Sequence, residues 1–287
     1  MKNLIWLASY PKSGNTWLRV LLDSILTHEG KTVDINQINS TKFGFISRFH
    51  LDEFLEINST ELTSSETHFF KRAYYLDFGS KAEEGTFLKT HDANMQLDND
   101  LWLIPKEVTK LVIYITRNPL DIVASFANHL GISLDRTIDL MSNKEFSFFR
   151  TRGGVTSNVD QLVTDWSGHV TSWLDSTLPV LLVKYEDLLQ APVETLMIIM
   201  KTLDKNKVDK KIIEEAVVNN SFAKMAKQES EKGFHEKDVL SPVFFRKGKA
   251  NSWEEELTEA QINRVTQSHG KVMTSLGYLP NLKLYRQ

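Results

Sequence analysis

No cysteine occurs among the 287 residues of this chain, which excludes disulfide frameworks, thiolate metal sites and cysteine nucleophiles. A cysteine-free chain also suits a reducing cytosol. Long hydrophobic runs are missing as well: no window approaches the roughly eighteen consecutive apolar residues that a membrane span requires. The apolar run at residues 4–8 is too short for the hydrophobic region of a secretion signal. The expectation is a cytoplasmic protein with no membrane span. Charge of one sign is scarce too, because 34 Lys and Arg against 37 Asp and Glu leave a formal charge of −3. That balance argues against a whole-protein field for nucleic acid or anionic lipid, so any anion site must be local.

What is present is an ordinary globular composition, 41% hydrophobic and 25% charged, enough to bury a large core. Short apolar, β-branched runs at 4–8, 86–89, 111–116 and 180–185 read as strands. Helical periodicity marks 16–26, 120–130, 192–203, 212–218 and 258–276. Strands alternating with helices predict an α/β fold, a central parallel sheet flanked by helices on both faces. No repeat or linker interrupts it, so residues 1–287 are expected to form a single domain. In the first helix Trp17, Val20, Leu21, Ser24 and Ile25 make one apolar stripe, with Arg19 and Asp23 expected to face outward. Residues 31–84 and 233–252 lack clear periodicity and are expected to be loops or lids.

The segment Tyr10-Pro11-Lys12-Ser13-Gly14-Asn15-Thr16-Trp17 joins the first strand to the first helix. Backbone N–H groups and the helix dipole favour a phosphate or sulfate there. Lys12 adds a point charge, Gly14 permits close backbone approach, and Ser13, Asn15 and Thr16 bring hydrogen-bonding side chains. The plainer reading is a well-capped helix with a solvated lysine. A Walker A loop is not present, since Lys12 precedes Gly14 rather than following a second glycine.

Tyr10 to Trp17 resembles the 5'-phosphosulfate loop of the cytosolic-type sulfotransferases, a P-loop-like strand–loop–helix whose usual form has Thr at the position of Asn15. Arg117-Asn118-Pro119-Leu120-Asp121-Ile122-Val123-Ala124-Ser125 is similar to the family's 3'-phosphate segment, including the eight-residue step from Arg to Ser. Phe245-Arg246-Lys247-Gly248 and Trp253 resemble its C-terminal segment, although Asn251-Ser252 stand where Gly-Asp usually precede the Trp. Val183-Lys184-Tyr185-Glu186-Asp187-Leu188 and Asn220-Ser221-Phe222 resemble the family's Tyr-Glu-Asp strand end and an adenine-contact segment. These matches run in the family's order from residue 4 to about residue 253. The resemblance implies one α/β domain and 3'-phosphoadenosine 5'-phosphosulfate (PAPS) as donor, with adenosine 3',5'-bisphosphate (PAP) as its product.

Under that resemblance Lys12, Ser13, Gly14, Asn15, Thr16, Trp17, Arg117, Ser125, Tyr185, Phe222, Arg246, Lys247 and Gly248 contact the donor. Guanidinium suits a phosphate through its bidentate fork, though a helix-start salt bridge is the alternative for Arg117. Trp17 and Phe222 are candidates to sandwich the adenine, and Trp17 reads equally as core. Phe87-Leu88-Lys89-Thr90-His91 ends a strand at the edge where open α/β sheets bind ligands. The Lys-Thr-His match implies that His91 is the general base, with Lys12 and Lys89 at the leaving group and the sulfuryl oxygens. No metal is called for.

A nucleotide or small-molecule kinase is the competing enzyme, but the strand at 111–116 ends without the acidic residue that would hold Mg²⁺. A binding-only relative should have lost Lys12 or His91, and both are present. The partner is expected to be a small-molecule hydroxyl acceptor, not nucleic acid. Its pocket is expected among residues 31–84 and 146–155, with Phe43, Phe45, Phe49, Phe69, Phe70, Tyr74, Tyr75, Phe148 and Phe149. Glu254, Thr258-Glu259 and Asn263 stand where the family's dimer motif has Lys, Thr-Val and Glu. That dimer mode is unsupported, and the oligomeric state stays open.

Overall fold

The first strand explains the architecture. β1 (Leu4–Ser9) is buried at every residue, so it needs apolar cover on both faces. Leu4, Trp6 and Ala8 point into one core cluster, while Ile5 and Leu7 point into a second, as the two-residue period of a strand dictates. The computed structural model describes residues 2–39, 41–43, 47–149 and 157–279.

From β1 the chain enters α1 (Asn15–Thr27), then β2 (Thr41–Phe43), α2 (Arg48–Leu55), α3 (Ser64–Lys81) and β3 (Thr86–Thr90). A short antiparallel pair, β4 (Gln96–Asp98) and β5 (Leu101–Trp102), precedes β6 (Thr109–Thr116), α4 (Pro119–Leu130) and α5 (Leu134–Met141). A second antiparallel pair follows, β7 (Ser147–Phe148) with β8 (Gln161–Leu162), and leads to α6 (Trp166–Leu174) and β9 (Val180–Lys184). Helices follow: α7 (Tyr185–Gln190), α8 (Pro192–Thr202), α9 (Lys210–Asn219), α10 (Phe222–Lys232), α11 (Trp253–Glu256) and α12 (Glu259–Ser275).

The central sheet has five parallel strands in the order β2-β3-β1-β6-β9. One face is covered by α4, α6 and α12 through Phe126, Trp173 and Met273, the other by α1, α8 and α9 through Leu18, Leu196 and Ile213. The α/β class with helices on both faces is therefore as expected. Among the described residues no helix is long and apolar enough to cross a membrane.

Two local expectations are overturned. Arg19 and Asp23 do not face outward but are 2% and 0% exposed. The side of α1 turned from the sheet is covered by a third cluster, in which Val20 meets Val33, Met225, Phe234 and Phe245. Arg19 is admitted there because Nη1 donates to both Glu236 oxygens, at 2.8 and 3.1 Å. Residues 31–84 are also not irregular throughout, since α3 runs for 18 residues. Its start is fixed by a reciprocal capping box between Thr63 and Glu66.

Candidate active site

Four of the five strands end at one rim. β1 leads into the loop with Lys12 and Gly14, β3 into His91, β6 into Arg117 and β9 into Tyr185, so the fold gathers these side chains at the carboxyl edge of the sheet. A cavity of ≈ 450 Å³ opens there. Of the residues expected to bind or react, Lys12, Gly14, Asn15, Thr16, Trp17, Lys89, His91, Arg117, Ser125, Tyr185, Phe222, Arg246, Lys247 and Gly248 all line it. Ser13 does not: it is 1% exposed, and its Oγ has no hydrogen-bond partner among the described residues.

The reading of the first loop as a well-capped helix with a solvated lysine fails on both counts. The N-terminus of α1 has no side-chain cap, which leaves its first N–H groups available to an anion. Lys12 sits at φ 67 and Gly14 at φ 96. A Cβ on Gly14 would stand 2.5 Å from the Tyr185 ring, so a side chain there would collide with the cavity wall as well as strain the backbone. Lys12 Nζ lies 3.7 Å from the centre of the Phe244 ring. Burial, then the neighbouring Arg117 and Lys89 cations, lower its pKa to about 7. Asn15 turns its amide away from the cavity, donating to the Leu7 carbonyl at 3.0 Å and to Ser9 Oγ at 3.2 Å. It ties the helix start to the strand end.

Arg117 makes no helix-start salt bridge among the described residues. It donates to the carbonyls of Lys12 at 3.2 Å and Lys249 at 2.9 Å, and its guanidinium carbon lies 4.5 Å from the centre of the Tyr185 ring. The C-terminal segment is held beside it by Asp121, which accepts from Asn251 N at 2.8 Å, Ser252 Oγ at 3.1 Å and Trp253 N at 3.1 Å. Asn251 takes φ 61, a conformation Asn tolerates better than most residues other than Gly. Arg246 and Lys247 both meet Glu256, whose pKa the Arg246 hydrogen bond above all holds down at about 2. The Nε groups of Arg117 and Arg246 are buried without a partner among the described residues. Orphaned guanidinium donors beside an uncapped helix N-terminus are what a bound phosphate would satisfy, so this chemistry fits a phosphorylated nucleotide. The cavity also holds Trp17 and Phe222, on separate elements. A Cβ on Gly248, at φ +61, would fall 2.3 Å from the Phe222 ring.

His91 Nδ1 lies 2.7 Å from the Ser9 carbonyl oxygen, which can only accept. Nδ1 therefore carries the proton and Nε2 is the free base. Burial first, then the Lys89 charge, drive the His91 pKa well below the usual imidazole value. Its backbone is held by His169, whose Nε2–H donates to the His91 carbonyl at 3.2 Å while Nδ1 accepts from Tyr114 OH at 2.8 Å. Immediately after it, Asp92 pairs with the fully buried Lys71 at 2.6 Å. Lys89 Nζ lies 3.2 Å from Glu236 Oε2. Burial opposes ionisation of Glu236, but Lys89 and Arg19 outweigh it and hold its pKa below the usual carboxylate value.

Of the aromatics expected around an acceptor, Phe148 and Phe149 line the cavity. Tyr75 is core at 1% exposure, Phe70 and Tyr74 pack against the same core, and Phe49 and Phe69 are exposed on the surface. Phe45 and the side chain of Phe43 lie outside the described residues. Sequence reasoning missed His129, Gln161, Glu236 and Phe244, all of which line the cavity. His129 had a signal, since it lies four residues after Ser125 on one face of α4. The other three had none.

Comparison with known proteins agrees with this fold. Rat sulfotransferase 1A1 is 26% identical over 290 residues, spanning 95% of this chain and 85% of that protein. Dog sulfotransferase 1B1 is 24% identical over 282 residues, spanning 94% and 83%. The crystal structure of mouse sulfotransferase SULT7A1 complexed with PAP superposes with a TM-score of 0.60 at 19% identity, covering 95% of this chain and 85% of that one. The family model of the sulfotransferase domain matches residues 2–277, and the chain belongs to that family.

Proposed function

We propose that this sulfotransferase moves the sulfuryl group of PAPS onto a hydroxyl of a small-molecule acceptor, with His91 as general base. The observation that carries the reading is the 2.7 Å contact of His91 Nδ1 with the Ser9 carbonyl oxygen, an acceptor that favours the tautomer with Nε2 unprotonated. His91 also lines the same cavity as Lys12 and the start of α1. When bound, PAPS supplies a sulfuryl group on a phosphate leaving group. His91 Nε2 takes the proton of the attacking hydroxyl. Lys12, with the N–H groups at the start of α1 and with Ser13, Asn15 and Thr16 shaping that turn, meets the charge that grows on the leaving phosphate. Lys89, restrained by Glu236, faces the sulfuryl oxygens. Arg117 and Ser125, with Arg246, Lys247 and the backbone at Gly248, hold the 3'-phosphate, and Trp17, Tyr185 and Phe222 pack around the adenine.

The same reading treats residues 1–287 as one catalytic unit working in the cytoplasm, without a nucleic-acid partner. Support comes from the family match over 2–277 and from the near-neutral charge balance of 34 basic and 37 acidic residues. The test is a thermal-shift titration. PAP engages both phosphate sites of the folded state and should raise the melting temperature well above the rise given by ATP, which lacks a 3'-phosphate. Equal stabilisation by the two nucleotides would refute the donor assignment.

A further inference from the structure

The donor does not account for every polar group in the cavity. Gln161 lines it and is 3% exposed, yet its Nε2 has no hydrogen-bond partner among the described residues. It stands on β8 directly across from Phe148 on β7, so the two side chains share one face of that ladder. Its neighbourhood is held by Lys71 Nζ, which donates to the Asp160 carbonyl at 3.3 Å, and by Ser147 Oγ, which bonds the Asp160 carboxylate and lies 3.0 Å from the Gln161 carbonyl. The amide is presented on a supported element.

His129 poses the same problem from the last turn of α4. Its Nδ1 is buried without a partner among the described residues. Its ring stacks on Phe126 at 6.4 Å and meets Phe244 edge-on at 6.2 Å. Phe126 in turn packs against Phe148 at 6.1 Å, so one aromatic wall connects the two orphaned groups. Gln161 stands on the β7–β8 ladder, away from the elements that carry Lys12, Arg117 and Arg246, and the neutral ring of His129, whose pKa burial and then Lys12 lower, suits a neutral partner better than a phosphate.

A buried polar atom left unpaired is costly unless a ligand satisfies it. A hydroxyl both donates and accepts, so it satisfies the glutamine amide in either orientation and the imidazole in either tautomer. Leu130, Phe148 and Phe149 in the same lining call for a flat apolar body between such groups. Resting on the function proposed above, we propose that Gln161 and His129 read a second hydroxyl of the acceptor. The substrate class is then ring compounds carrying at least two hydroxyls, as opposed to simple phenols or alcohols.

The experiment is calorimetric titration of 2-naphthol and of the dihydroxynaphthalene isomers into the enzyme saturated with PAP. At least one diol should bind about tenfold or more tighter than 2-naphthol, as expected of a site built to pair with a hydroxyl. In Gln161→Leu and Gln161→Met that ratio should fall to within about threefold, and His129→Phe should lower it as well. A variant that still gains melting temperature with PAP is folded, so its ratio reports the subsite. The proposal is overturned if no diol outbinds 2-naphthol, or if the preference survives in both Gln161 variants. An unchanged ratio in His129→Phe removes His129 alone. Failure of PAP to stabilise the wild-type protein would sink the donor assignment and this inference with it. Stabilisation by PAP with no naphthol bound at all would sink only the inference.

Discussion

The two ends of the cavity are built by different means. The end proposed for the donor is made from strand ends and backbone: an uncapped helix N-terminus, two left-handed loop positions at Lys12 and Gly14, and a guanidinium braced on two carbonyls. The end proposed for the acceptor is made from side chains on marginal elements, a two-residue strand on each side of the β7–β8 ladder and the last turn of α4. Cations concentrate at the first and neutral histidines toward the second. A phosphate is recognised by geometry that any member of a phosphate-binding fold must keep. An organic acceptor is recognised by whichever side chains a short ladder presents, so the second end can change while the first stays fixed.

His91 stands where the ends meet, and its removal should have the largest effect. His91→Ala should lower turnover by roughly 10²- to 10⁴-fold while the dissociation constant of PAP, measured by calorimetry, stays within about threefold. A parallel loss of nucleotide binding would break the division between the ends. Arg117→Ala should weaken PAP by about 2 kcal/mol, roughly 30-fold, and leave acceptor binding to the PAP complex unchanged. If the acceptor weakened equally, the donor end would not be an independent unit.

Those two residues also show what sequence reveals and what it hides. The donor end was legible because it is local: strand, loop and helix are contiguous at residues 4–27, and Arg117 and Ser125 share one strand-to-helix turn. The alternating sheet was legible for the same reason. The acceptor end was not, because Gln161 carries no periodic or capping signal and matters only through its pairing with Phe148 across the ladder. The burial of Arg19 was not legible, because Glu236, 217 residues away, cannot be paired with it from local pattern. By contrast α3 could have been found, since Thr63 and Glu66 form a capping box at the standard spacing.

A gentler probe of the donor end is pH. Lys12 titrates near 7 in the free enzyme, and only its protonated form attracts phosphate. The value of kcat/KM for PAPS should therefore fall with rising pH, by up to about tenfold per unit above 7. The acid limb, set by His91, should lie below pH 6.5, because that imidazole is held neutral. A flat profile from pH 7 to 9 would mean that Lys12 does not meet the donor as a cation.

The smallest effect concerns the histidines. Burial lowers the pKa of His129 and His269 to about 4 and of His169 to about 3, and pushes His91 down as well. Their folded pKa values lie below the unfolded value of about 6.5, so the stability they contribute is present above that pH. It is lost as pH falls toward 4, where the unfolded chain binds protons first. The melting temperature should fall by about 5 °C or more between pH 7 and pH 5. A constant value over that interval would mean that these imidazoles are charged in the fold.

The sheet order carries a consequence for how the molecule is made. β1 lies between β3 and β6, yet it leaves the ribosome before either of them. Six buried apolar and small residues, Leu4–Ser9, must wait about 80 residues for one neighbour and about 100 for the other. Nucleotide offers no help in that interval, because Gly248 and the Lys249 carbonyl that braces Arg117 are synthesised later still. Donor binding can therefore retain the finished molecule but cannot guide its nascent chain, and a chain stopped before β6, at residue 109, would expose an edge of β1 to aggregation with no ligand able to rescue it.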